Sequence, residues 1–216
     1  MKRIAFYGGS FDPVHRGHLA ISDALIEQFS LDEFVYLPAF HAPHKMRQRP
    51  TSAHDRFAML CLATNNKSNV VVSKMEIEAP DRPYTVETLA TLNSRLSNTR
   101  IFFVMGADSW MDIATWREWE QVLMMSDHIV VTRPGSEIGF DHVTDAIRER
   151  VVDLRGGILP QISNDADKRH IYITDAVNID ISATDIRSRI RLNDASWQDD
   201  VTTEVAKHIE KYQIYS

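Results

Sequence analysis

Short, continuous apolar runs alternate along the chain with stretches in which apolar residues return every three or four positions. The runs predict strands at Arg3–Tyr7, Phe34–Pro38, Val70–Lys74, Arg100–Met105, His128–Thr132 and His170–Thr174. The periodic stretches predict helices at Gly17–Phe29, Ala53–Asn65, Val86–Leu96, Trp116–Met124 and Asp141–Arg150. Two more helices are expected, one after Ser182 and one around Thr202–Tyr212. Strands that are apolar throughout, instead of at every second residue, belong to a parallel sheet covered on both faces. The pattern therefore predicts a doubly wound α/β parallel sheet, one domain over residues 1–216 with a C-terminal helical part from about 182. Ligands of such sheets sit at the carboxyl ends of the strands. Segments 39–52 and 134–170 have the loosest pattern and read as long loops, either binding loops or surface padding.

Composition narrows the class. With 44% hydrophobic and 25% charged residues, the chain is neither disordered nor a coiled coil nor collagen-like. The net charge of −6 argues against broad binding to a nucleic-acid backbone, though local donors can still hold a small anion. The single cysteine, Cys61, cannot form an internal disulfide, and its apolar helical setting predicts a buried, inert thiol. No apolar run approaches the roughly 20 residues of a membrane span, and Ile4–Tyr7 is too short for a secretion signal. The expectation is a cytoplasmic protein with neither membrane nor nucleic-acid partner; a homo-oligomer is left open.

The chemistry concentrates in Gly8-Gly9-Ser10-Phe11-Asp12-Pro13-Val14-His15-Arg16-Gly17-His18, between the first strand and the first helix. Gly8 and Gly9 allow a sharp turn and a close ligand approach. The helix N-terminus beyond them favours phosphate. His15 and His18 fall on one face of a first helical turn, with Gly17 leaving room for a bulky group. Two imidazoles there can donate to phosphate oxygens and match charge developing in a transition state. The string is neither a Walker A loop nor the G-x-G-x-x-G fingerprint. Histidine fills 9 of 216 positions, so an H-x-x-H pair alone says little; the whole string between strand and helix says much. A zinc site from His15/His18 and His41/His44 lacks an H-E-x-x-H pattern and is not favoured.

Three further pieces carry candidate chemistry. In Ile181–Arg187, Ser182 and Asp185 form a capping-box pattern, and Ser182, Thr184 and Arg187 gather near the opening turn. That is either an ordinary capped helix or an anion site. Asp108, after Gly106 at the end of a strand, either accepts from ribose hydroxyls or caps the next helix. Trp116 and Trp119 lie three apart on a predicted helix; Trp119 reads as core, whereas Trp116 could stack on a planar ring.

The N-terminal string resembles the signature of the nucleotidylyltransferase superfamily, a glycine-rich turn followed by H-x-G-H. With Phe11-Asp12-Pro13 and His15 it is similar to the nicotinate-nucleotide adenylyltransferases. Pantetheine-phosphate adenylyltransferases and cytidylyltransferases share the shorter signature. The resemblance implies a Rossmann-like fold and transfer of an adenylyl group from ATP to nicotinate mononucleotide, with Mg²⁺ carried by ATP. It gives catalytic roles to His18, His15, Arg187 and Lys45. It assigns ATP binding to Gly8, Gly9, Ser10, Phe11, His15, Gly17 and His18, to Gly106 and Asp108, and to Ile181, Ser182, Thr184 and Arg187. Pyridine-nucleotide binding falls to Ser10, His44, Lys45, Thr85, Asp108, Trp116, Arg117 and Arg133. Thr85 would equally serve as a plain helix cap. Two departures are visible: Ala183 stands where many members have Ser, and Ala42 where a second proline is common. Residues 136–170 match no family motif. Another acceptor (nicotinamide mononucleotide or phosphopantetheine) or a non-catalytic nucleotide sensor are the competing readings.

Overall fold

The computed structural model describes residues 1–40, 51–81, 83–132, 138–162 and 168–215. His44, Lys45 and Arg133 lie outside the described residues. Seven strands form one parallel sheet: β1 (Lys2–Gly9), β2 (Glu33–Pro38), β3 (Val70–Val72), β4 (Thr99–Gly106), β5 (Asp127–Val131), β6 (Val151–Asp153) and β7 (Ile171–Thr174). Their order is β3-β2-β1-β4-β5-β7-β6. The chain winds outward from β1 to β2 and β3, then returns to place β4 on the other side of β1. The crevice of this open sheet therefore falls at the carboxyl ends of β1 and β4.

Side chains of successive strand residues enter two separate cores, which is why the strands read as unbroken apolar runs. Ala5, Tyr7, Phe34, Tyr36, Phe102, Val104, Ile129 and Tyr172 face one layer. That layer is built from α1 (Arg16–Phe29), α2 (Ala53–Thr64), α7 (Ala183–Arg191) and α8 (Thr203–Tyr212). Ile4, Phe6, Val35, Leu37, Ile101, Phe103, Met105 and Ile173 face the other. There they meet α3 (Thr85–Arg95), α4 (Ala107–Met111), α5 (Trp119–Met125) and α6 (Asp145–Arg148). Among the described residues no helix is long and apolar enough to cross a membrane.

Four expectations need correction. The helix read as Trp116–Met124 starts only at Trp119, because Trp116 is extended (ψ 146) and Glu118 adopts a left-handed conformation (φ 51). Trp116 and Trp119 therefore do not share a helical face. Within Asp141–Arg150 only Asp145–Arg148 is helical, since Val143 and Ile147 are the sole buried anchors of that stretch. Edge strand β6 falls in the segment 134–170 that reads as loop, because it holds just two apolar residues. Cys61 is half-buried instead of buried, and partial burial pushes its thiol pKa up, which keeps it protonated.

The amino-terminal edge of the sheet is locked by charge. Arg100 opens β4 and Asp127 opens β5, and both side chains are fully buried. The guanidinium is bidentate on the carboxylate, at 2.7 and 2.9 Å, and also donates to the Lys168 carbonyl at 2.8 Å. The His170 amide donates to the same carboxylate at 2.8 Å, bringing β7 into register. Removing one partner strands a buried charge, whereas removing both does not. Arg100→Met should therefore cost about 3–5 kcal/mol of unfolding free energy, and Arg100→Met with Asp127→Leu should recover most of it. Urea unfolding of both variants checks this; equal losses would contradict it.

Candidate active site

The site is built where β1 hands over to α1. Gly8 and Gly9 are still strand residues, so their role is packing and not the turn itself. A Cβ on Gly9 would lie 2.9 Å from the Phe11 ring, and one on Gly8 3.1 Å from Phe103. The turn is made by Phe11, whose φ of 48 is left-handed although it carries a side chain. Its ring holds it there: Phe11 is buried and meets Tyr7 and Tyr36 edge-on, both at 5.3 Å, and His18 at 5.0 Å. Only the backbone of Phe11 is left to face a ligand.

His15 is the N-cap of α1, and its ring stacks on His18 with centroids 3.7 Å apart. A Cβ at Gly17 would sit 3.1 Å from that ring. The space opened by Gly17 is thus filled by His15, not by a ligand group. The His15 amide donates to His18 Nδ1 at 3.3 Å. With Nδ1 accepting, a neutral His18 ring carries its proton on Nε2, as a donor. The Tyr36 hydroxyl donates to the His18 carbonyl at 2.9 Å and ties this turn to β2. Helix geometry directs the first-turn N–H groups along the axis in the same direction, where they favour an anion.

Both imidazoles and Gly17 line a cleft of about 450 Å³ that opens to solvent. Its other walls are Tyr7, Ile21, Gly106, Val131, Thr132, Val177, Ile179 and Ile181. A Cβ on Gly106 would meet nothing within 4 Å, so that glycine is not required by packing. Apolar walls with a few convergent donors suit a planar ring attached to a charged group.

Of the second predicted cluster, Ile181 lines the cleft, and Arg187 reaches the turn that leads into α1. Arg187, on α7, donates from Nη1 to the Asp12 carbonyl at 2.6 Å and from Nη2 to Thr184 Oγ1 at 3.2 Å. Ser182 is the N-cap of α7 as expected, but its side chain makes no cap bond, so the capping box is not formed. Asp108 is exposed in the first turn of α4, whose N-cap is Gly106, so it does not cap that helix. Ser10 enters through its carbonyl, discussed below. Thr85 is the first residue of α3 and not its cap; Tyr84 is the cap, and its amide donates to Glu87 at 2.8 Å. Arg117 lies over the Tyr84 ring at 4.9 Å and within 3.7 Å of Glu87. Thr85, Trp116 and Arg117 therefore gather at one corner, with Trp116 partly buried against the second core. Behind it, Glu76 accepts from Thr88 Oγ1 at 2.9 Å, and burial pushes its carboxyl pKa up to about 7.

Sequence reading missed Tyr7, Ile21, Thr132, Val177 and Ile179 as walls. Apolar strand and loop residues carry no mark of which side meets a ligand. It also missed Arg56, whose guanidinium donates to the Ser10 carbonyl at 2.6 Å.

The chain belongs to the cytidylyltransferase-like family, whose model matches residues 6–189. Within that family it groups with the nicotinate-nucleotide adenylyltransferases. The probable nicotinate-nucleotide adenylyltransferase of Desulfatibacillum aliphaticivorans is 36% identical over 195 residues, covering 87% of this chain and 88% of the relative. That of Corynebacterium glutamicum is 32% identical over 213 residues, covering 99% and 88%. Among solved structures, Plasmodium falciparum nicotinic acid mononucleotide adenylyltransferase complexed with NaAD superposes with a TM-score of 0.71 at 21% identity, covering 100% of this chain and 98% of that one. Its complex with APC gives 0.68 at 22% identity, with the same coverage. At that identity the likeness confirms the Rossmann-like fold.

The tight fit of His15 over Gly17 yields a direct expectation. Gly17→Ala should leave the thermal midpoint within a few degrees, since alanine favours the helix by up to about 1 kcal/mol. The added methyl displaces His15, so kcat/KM for ATP should fall about tenfold or more. Steady-state kinetics beside a melting curve checks both; an unchanged kcat/KM would contradict the role given to the stack.

Proposed function

We propose that this protein transfers the adenylyl group of ATP to nicotinate mononucleotide, forming nicotinate adenine dinucleotide and releasing pyrophosphate. The observation that carries the reading is the stacked His15–His18 pair at the head of α1, with Arg187 bonded to the Asp12 carbonyl of the same β1–α1 turn. The curated relatives, over nearly the whole chain, supply the choice of acceptor.

A phosphate oxygen of the acceptor attacks the α-phosphorus of ATP. The new P–O bond forms as the bond to the bridging oxygen breaks, and that electron pair leaves on pyrophosphate. The acceptor oxygen is already anionic, so no general base and no covalent enzyme intermediate is required. The protein's work is alignment and neutralisation of charge. His18 Nε2–H is the donor assigned to the α-phosphate, and His15 holds the plane of that ring. Arg187 and Lys45 are assigned to the remaining phosphate oxygens, and Arg133 and His44 to the acceptor nucleotide. Gly106, whose Cβ position is open, would let the backbone come close to the nucleotide, while Gly8 and Gly9 pack the turn that faces it. Asp108 would accept from ribose hydroxyls, and Thr85 and Trp116 would meet the pyridine ring.

Among the described residues no three His, Cys, Asp or Glu side chains converge on one point. A magnesium ion carried with ATP would neutralise charge on the leaving group, beside the donors assigned to His18 and Arg187. The whole chain, 1–216, is read as one working unit, with the α7–α8 part closing over the α1 side of the sheet.

Pyrophosphate release with Mg-ATP, measured against nicotinate mononucleotide, nicotinamide mononucleotide and phosphopantetheine, tests this reading. Strong preference for nicotinate mononucleotide is expected. Preference for phosphopantetheine would keep the phosphate site and overturn the acceptor. With the preferred acceptor, His18→Ala should lower kcat about 100-fold or more with a smaller change in KM; an unchanged kcat would remove His18 from the transition state.

A further inference from the structure

Beside the cleft lies a buried polar assembly that the transfer step does not itself use. Arg56, on α2, is 1% exposed, yet no carboxylate pairs with it directly among the described contacts. Its guanidinium instead donates to four backbone carbonyls. Nη1 reaches Ser10 at 2.6 Å, Nε reaches Thr51 at 3.0 Å, and Nη2 reaches Ala39 at 2.7 Å and Phe40 at 3.2 Å. Ser10 belongs to the signature turn, Ala39 and Phe40 follow β2, and Thr51 precedes α2. One buried cation thus fixes three backbone segments at the carboxyl edge of the sheet.

Asp12 forms the other half. Its side chain is nearly buried, with Oδ1 accepting from the Tyr215 hydroxyl at 2.7 Å and Oδ2 from the Thr51 amide at 3.3 Å. Its carbonyl is the acceptor for Arg187. Tyr215, beyond α8, is held by the neighbouring Ile214 in the first core. Burial and the Asp12 charge push the Tyr215 hydroxyl far above its ordinary pKa, so it stays protonated and keeps donating.

A buried charge satisfied only by carbonyls is a poor way to gain stability, because apolar residues of similar volume do as well or better. What this arrangement supplies is geometry. The left-handed Phe11 backbone is strained and persists only where its surroundings over-determine it. Asp12 and Ser10 flank that residue, and both are held.

We propose that Asp12 and Tyr215, backed by Arg56, are positioning residues for nucleotide transfer: the Tyr215–Asp12 hydrogen bond sets the Asp12 carbonyl that aims Arg187 at the phosphates. This rests on the adenylyl-transfer reading for its kinetic consequence, but not for its consequence on ATP affinity. The contacts run Tyr215 hydroxyl, Asp12 carboxylate, Asp12 carbonyl, Arg187 guanidinium, so the tyrosine acts only through the arginine.

Tyr215→Phe removes one oxygen and keeps the ring in place. It should lower the affinity for a non-hydrolysable ATP analogue, read by calorimetry, and lower kcat/KM about tenfold, as expected for losing one hydrogen bond to a charged group. The thermal midpoint should move far less than activity does. In an Arg187→Ala background the same change should cost less than about twofold, because the residue it acts through is gone. Asp12→Asn keeps one acceptor oxygen for the Thr51 amide and can turn its NH2 to donate to the Tyr215 hydroxyl oxygen, so it should retain more activity than Asp12→Ala. Tyr212→Phe, on exposed α8 surface, serves as a control and should match the parent. An unchanged analogue affinity and kcat/KM in Tyr215→Phe, or losses that add fully to those of Arg187→Ala, would overturn the proposal. A parent protein that binds the analogue but turns over no acceptor would instead overturn the function, and the affinity arm would still decide the positioning role.

Discussion

The phosphate end of this molecule depends on a stack of two imidazoles that packs closely over residue 17, which has no side chain. His15 caps α1 and folds back across the helix start, and the space it occupies is where a Cβ on Gly17 would project. The stacked His18 lines the cleft, and the backbone bond to Nδ1 leaves the proton of a neutral ring on Nε2. Donors held in place before the ligand arrives need no reorganisation during reaction, which is where such sites gain most. The remaining features keep that turn still: Phe11 packed between tyrosines, Tyr36 bonded to the His18 carbonyl, and the Arg56–Asp12 assembly beneath.

Sheet and site divide the molecule into ends with opposite uses of charge. At the amino-terminal edge, Arg100 and Asp127 neutralise one another in full burial and hold strand register. At the carboxyl edge, cationic and hydrogen-bond donors gather, and among the described residues the buried carboxylate there is Asp12, whose oxygens are engaged by Tyr215 and Thr51. An anion with several negative charges completes that edge electrostatically. A protein with a net charge of −6 can therefore bind nucleotides by local arrangement rather than by its overall field.

Much of this was legible in the chain. Six of the seven strands were visible because a parallel sheet is covered on both faces, so their apolar runs have few polar gaps. The β1–α1 string could be read because strand, glycines, histidines and helix start occur in one contiguous stretch. What could not be read was anything that depends on distant chain segments meeting. Arg56 looks like a solvated residue of an amphipathic helix, and only the fold brings Ser10, Ala39 and Thr51 to its guanidinium. Tyr215 carries no motif, yet lies 203 positions from its partner Asp12. Gly8 and Gly9 were credited with the turn, whereas Phe11 makes it, because a buried aromatic ring can stabilise a backbone that glycine would adopt more readily. Trp116 was misplaced on a helix because helical spacing continues through Glu118, where the backbone reverses hand.

The most direct test of the central claim is the crystal structure of the protein with a non-hydrolysable ATP analogue and magnesium. The account predicts phosphate oxygens about 3 Å from His18 Nε2 and within reach of Arg187, with the His15–His18 stack unchanged. Phosphates bound away from the head of α1, or a His18 ring turned so that Nδ1 faces the ligand, would contradict it.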